Sequence, residues 1–169
     1  MRPPAGDAGE VSPRDPQAGR TKKNGRSRFG YKGHVAVDEG SGLVREAVMT
    51  PADVHDSVEA DGLVQGDEGT VYADKAYDSE ARRRGLRERG IEPRIMYQAR
   101  RDRPLRPWQA ALNRAVAPIR AGVERLFGTM RRAYGYRGGR YLGLARNGVQ
   151  LQALCIAINL RRALSLGLA

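Results

Sequence analysis

The chain has 169 residues, which suits one domain with a modest core. Thirty basic residues against 19 acidic ones give a formal net charge of +11, which points to a polyanionic partner, nucleic acid ahead of a membrane surface. A lone cysteine, Cys155, argues against a disulfide framework, and no segment approaches the roughly 20 apolar residues of a membrane span, so a cytoplasmic protein is expected.

Residues 1–26 are rich in Pro, Gly, Ala and Arg and lack apolar periodicity, so they are expected to form a disordered basic arm, with a domain over 27–169. From Phe29 the period becomes two. Phe29, Tyr31, Gly33, Val35 and Val37 share one face of a predicted strand, and a turn-forming DEGSG leads into a second over Leu43–Thr50, an antiparallel hairpin. A short helix is predicted over Val54–Gln65, weakened by Gly62, and a short buried strand over Thr70–Asp74.

Ser79 to Gly90 reads as a helix with Ser79 as N-cap, Gly90 as the stop, and Arg82–Arg84 and Arg87–Arg89 exposed. Ile91–Gln98 reads as a short strand in which Pro93 indicates an edge position or an irregular start, followed by a charged loop over Ala99–Arg106. Leu112, Val116, Ile119, Val123, Leu126 and Met130 then form an amphipathic stripe, with Pro118 expected to kink it or to open a second helix. A glycine- and arginine-rich turn over Tyr134–Tyr141 precedes a last helix over Gly148–Leu164, apolar enough to be buried along most of its length.

From Arg103 to the C-terminus the chain carries twelve arginines, no lysine, and one acid, Glu124. A carboxylate among arginines weakens a surface that only holds phosphate. Two readings compete: Glu124 pairs with Arg120 or Arg131 and solubilises a helix face, or it holds a divalent cation beside a phosphate that the arginines grip. Glu124 lies about 100° of helical rotation beyond Val123, on the border of the stripe, where it could face a cleft. Asp74 ends a strand, and the two carboxylates converge only if the later helix packs across the sheet near the carboxyl ends of its strands.

Several ordered segments carry a resemblance: FGYKGHVAVDEGSGLV with TPADVHDS after it, VYADKAYDS, and IRAGVERLFGTMRRAYGYRGGRYLGLARN. Together they resemble the DDE transposases of bacterial insertion sequences, of the fourth and fifth insertion-sequence families, over roughly residues 13–164. The resemblance implies an α/β, ribonuclease-H-like mixed sheet flanked by helices, and metal-dependent phosphodiester cleavage and strand transfer on DNA. It implies that Asp74 and Glu124 are catalytic, metal-binding carboxylates for Mg²⁺ (Mn²⁺ possible), and that Arg120 and Arg131 contact phosphate. Arg132, Arg137 and Arg140, in the same segment, are expected to bind DNA with them, and intrahelical pairing with Glu124 stays open for Arg120 and Arg131.

The sequence departs from the family pattern at Ala76 and Ala117 and, more seriously, before the hairpin. The first catalytic aspartate normally ends the strand preceding it. Here only Asp7 and Asp15 precede the hairpin, and neither ends a β-branched run. The expectation is therefore a domain lacking its first strand and needing an upstream-encoded part or full-length transposase, or else a catalytically inactive DNA-binding remnant. Its partner would be DNA at the nucleoid, with no membrane. His34 and His55 receive no catalytic role, Asp38 and Asp56 fit a hairpin turn and a helix start, and Trp108 is read as packing before base stacking.

Overall fold

The computed structural model describes residues 14–23 and 25–168. Three strands, β1 (Gly19–Lys23), β2 (Arg26–Val37) and β3 (Val44–Pro51), form an antiparallel sheet in the order β1-β2-β3. The predicted hairpin is present with a bulge at Ala36/Val37, and Tyr31, Val35 and Val37 pack on the core as the period-two pattern requires. After β3 come α1 (Asp56–Glu59) and a 3-10 turn, Asp61–Leu63; the predicted single helix is divided there.

β4 (Thr70–Ala73) and β5 (Glu92–Ile95) pair in parallel as a separate two-stranded sheet, connected by α2 (Glu80–Glu88). Ser79 caps α2, and Gly90 turns the chain with φ of 76°, as expected. β4 is only half-buried, not buried as predicted. α3 (Pro107–Tyr134) is one helix of 28 residues that continues through Pro118, and α4 (Leu144–Ser165) lies against β3 and β2.

Three further expectations are corrected. Part of the supposed arm is ordered: β1 pairs with Arg26–Gly30, and Asp15 is buried, accepting from the Tyr31 hydroxyl at 2.6 Å and from the Gly143 amide. Residues 1–13, including Asp7, lie outside the described residues. Arg83, expected exposed within an arginine run, is 1% exposed. It bonds the Asp78 carboxylate at 2.9 Å and the Ile95 carbonyl at 2.8 Å, and stacks 3.8 Å over the Tyr97 ring. α4, expected buried along most of its length, buries Asn147, Leu151 and Cys155 on one face and exposes Val149, Ile156, Leu160 and Leu164 on another.

The hydrophobic core is in two parts. One gathers Val44, Met49, Leu126, Met130 and Leu151 between the hairpin, α3 and α4, and the other gathers Leu86, Ile91 and Ile95 between α2, β4 and β5. Cys155 belongs to the first, where burial pushes its thiol pKa up to about 11. Among the described residues no helix is long and apolar enough to cross a membrane.

Candidate active site

Asp74 directly follows β4 in extended conformation, and its side chain takes no part in capping the 3-10 turn after it. The carboxylate instead meets Arg120 of α3, Oδ2 to Nη1 at 2.9 Å. The other terminal nitrogen of Arg120 donates to Glu124 Oε1 at 2.6 Å, one helical turn on. One guanidinium therefore joins a strand end to a helix face. The intrahelical pair was one of the two readings open from sequence; the contact to Asp74 places both carboxylates at one point.

That point lies on the wall of a cavity of about 460 Å³ between the Val35–Val37 stretch of β2 and β4, roofed by α3. Asp56 reaches the same cavity but is held by Lys32 Nζ at 2.7 Å. Burial works against its charge, yet Lys32 and the neighbouring histidines keep its carboxyl pKa below the ordinary value. Tyr77 also lines the cavity; burial first, then the charges of Asp56 and Asp74, push its hydroxyl pKa up. Among the described residues no three His, Cys, Asp or Glu side chains are grouped closely enough to hold an ion.

The remaining arginines separate into two sets. Arg131 lies eleven residues beyond Arg120, close to three helical turns, so it continues the Arg120–Glu124 face about 16 Å along α3, while Arg132 is rotated about 100° from it. Both are exposed, as are Arg137 and Arg140 in the turn after α3. That turn is built on Asn147, fully buried, which accepts from the Arg140 and Tyr141 amides and donates to the Tyr141 and Gly143 carbonyls. Glu124 pairs with Arg120 and not with Arg131.

His34 is buried against the Thr50 hydroxyl at 2.9 Å, and His55 caps α1. Asp38 accepts from the Ser41 amide and hydroxyl in the hairpin turn. Trp108 is half-exposed and meets Tyr97 edge-on, ring centroids 5.1 Å apart. Sequence reasoning missed Asp15 and Asn147. Asp15 sits at the N-terminus of α4, where Gln17 also accepts from the Leu144 amide, and a carboxylate is favoured at that end of a helix. Nothing local in SPRDP signals a contact so distant in the chain.

Strands and helices in this order, with one carboxylate at a strand end and another on the helix facing it, define a ribonuclease-H-like α/β domain. The chain belongs to the transposase DDE domain family, which it matches over residues 6–160. It is 36% identical over 159 residues to the transposase for insertion sequence element IS1106 of Neisseria meningitidis serogroup B, a match covering 92% of this chain and 55% of that protein. The chain thus spans about half the length of that relative. No solved structure matches it.

Proposed function

We propose that the chain supplies two of the catalytic carboxylates, Asp74 and Glu124, of an insertion-sequence transposase of the fourth or fifth family type, and that it works on DNA at the nucleoid. The observation that carries this is the single guanidinium of Arg120 joining them. A structural ion pair on α3 needs no strand-end aspartate.

The donor set suits a hard cation. Magnesium takes oxygen ligands and is commonly bound by one or two carboxylates completed by water and substrate phosphate, which agrees with two acids and no soft ligand at this corner. Bound there, magnesium or manganese would supply positive charge at the scissile phosphate and a water of lowered pKa. Asp74 and Glu124 would hold it. Arg120 offsets one of the two carboxylate charges and leaves a net negative corner that suits a cation; with Asp74 and Glu124 holding one, the Arg120 N–H groups would be available to phosphate. Arg131 continues the same helix face, and Arg132, Arg137 and Arg140 hold the flanking backbone by charge.

The cavity between β2 and β4 supports a further part of the reading: a strand added there, from a longer transposase or a second polypeptide, would complete the sheet and bring the third carboxylate. One edge of β2 over Tyr31–Val37 and one edge of β4 have no strand partner among the described residues. Unpaired edges of this kind invite another strand. The second reading, a DNA-binding remnant without activity, is favoured by the want of a third carboxylate near Asp74 and Glu124 among the described residues.

The test is metal-dependent cleavage and joining of DNA carrying the element's ends, by the chain alone and with the upstream-encoded polypeptide. Asp74→Asn and Glu124→Gln should each lower the rate at least about 10³-fold, as losing one member of a group that acts as a unit does. Activity surviving both substitutions sinks the assignment. Salt-sensitive DNA binding with no cleavage in either setting establishes the remnant.

A further inference from the structure

A second cavity, of about 740 Å³, lies between the hairpin turn, α3 and α4. Its apolar lining includes Tyr72, Ile119 and Ile158, and Arg125, Arg161 and Arg162 line it too. No carboxylate pairs with these three arginines among the described residues. Arg162 spends one N–H on the Ser41 carbonyl, and Arg125 and Arg161 are exposed. Collecting unpaired guanidinium groups around one cleft raises its potential and costs stability, which an anionic ligand offsets. The acids on the opposite wall are Asp38, already satisfied by Ser41, and Glu39 at the exposed tip of the turn.

This cleft adjoins the one holding Asp74 and Glu124: Val37, Tyr72, Arg120 and Val123 line both. We propose that it seats a single DNA strand running on from the Asp74–Glu124 corner, phosphates on Arg125, Arg161 and Arg162 and a base against Tyr72. A duplex presents phosphate to a surface and keeps its bases stacked inside, so it has little use for an apolar, aromatic floor. A strand with exposed bases uses both the floor and the charged rim. That the polymer is DNA rests on the transposase reading; the cleft itself specifies a polynucleotide strand.

The experiment measures binding of a fluorescein-labelled oligothymidylate to the full chain by anisotropy across a series of salt concentrations, without metal, so that no cleavage is needed. Arg125→Ala and Arg161→Ala should each reduce the slope of log affinity against log salt by about 0.7, the contribution of one phosphate contact on a single strand. Tyr72→Leu should weaken binding about tenfold with the slope unchanged, since stacking involves no counterion. Glu39→Gln should strengthen binding. Each variant's far-UV circular dichroism should equal that of the parent. Unchanged slopes in the folded arginine variants overturn the proposal, as does tighter binding of duplex or of oligouridylate. Failure of the active-site reading appears separately, as cleavage surviving in Asp74→Asn and Glu124→Gln, whose oligonucleotide affinity is not expected to fall.

Discussion

Arg120 spends two nitrogens on two acids from different elements, and the energetics of that arrangement separate a stabilising pair from a functional one. Its side chain and that of Asp74 are about one-third exposed and that of Glu124 is 61% exposed. Pairs so open to water contribute about 0.2–1 kcal/mol each. Arg120→Ala should therefore cost about 1 kcal/mol or less in urea denaturation, while metal-dependent strand cleavage falls about 10²-fold or more. Arg120→Lys keeps the charge but not the planar fork and should recover stability more than rate. Equal recovery of both would make Arg120 a structural residue. His34 gives a prediction in pH. Burial first, and Lys32 after it, hold its pKa below the ordinary 6.5, against the opposing pull of Asp56 and Glu59. The unfolded chain then binds the proton more readily than the folded one. Stability from this group is complete above pH 6.5 and is lost as the pH falls from there through the lower folded value. Melting temperatures across that window should fall with acid, and His34→Gln should flatten the dependence; a parallel profile would remove His34 as its source. At this scale the roles expected of Asp74 and Glu124 came from the resemblance, whereas their positions, at a strand end and on a helix, were legible in the sequence. Arg83 was not, since three successive arginines look alike; the clue was Leu86, three residues on and buried on the same helix face.

Among the elements, the long helices are fixed to their neighbours by asparagines that no periodicity reveals. Asn113 of α3 bonds the amide and carbonyl of Tyr97, and Asn159 of α4 does the same to Val44. Asn147 makes four such bonds and shapes the turn that presents Arg137 and Arg140. Asn147→Ala leaves several of these groups without a partner in a fully buried site, and should cost about 2–3 kcal/mol in chemical denaturation. A loss under about 0.5 kcal/mol, the range of ordinary surface substitutions, would mean that the turn holds itself. The cap Ser79 and the stop Gly90 predicted α2, while regular apolar spacing predicted α3 and the period-two pattern the hairpin. β1 escaped it because its residues, GRTKK, are mostly charged; the available signal was the turn-forming pair Asn24-Gly25, a hairpin dipeptide between two basic runs. α4 was read as buried because its composition is apolar on two faces, and only the packing decides which face the sheet covers.

The molecule as a whole has two cores, each with its own sheet, bridged by α3, by the segment from α1 through the 3-10 turn Asp61–Leu63 that packs on β2 and β3, and by the Arg120–Asp74 and Arg45–Asp67 contacts. A continuous sheet would transmit loss of one core to the other through its ladder; here the two sheets do not pair among the described residues. The strands were expected in one mixed sheet and form two, because a strand's pattern carries its burial and not the identity of its neighbours. The lobes should therefore lose structure separately. Trp108, the one tryptophan, meets Tyr97 just beyond β5 and reports on the smaller lobe, while far-UV circular dichroism is dominated by α3 and α4. In urea the fluorescence midpoint of the isolated chain should fall below the dichroism midpoint, and Ile95→Ala, which empties a fully buried site in the smaller core, should widen the gap. If a strand from a longer transposase or a second polypeptide enters between β2 and β4, the edges of both sheets become one ladder and the transitions should merge at a higher midpoint. Coincident transitions in the isolated chain would mean that α3 and the other bridging contacts couple the lobes without a shared sheet. Separate transitions that persist in the complex would mean that the partner binds elsewhere and leaves the cavity open.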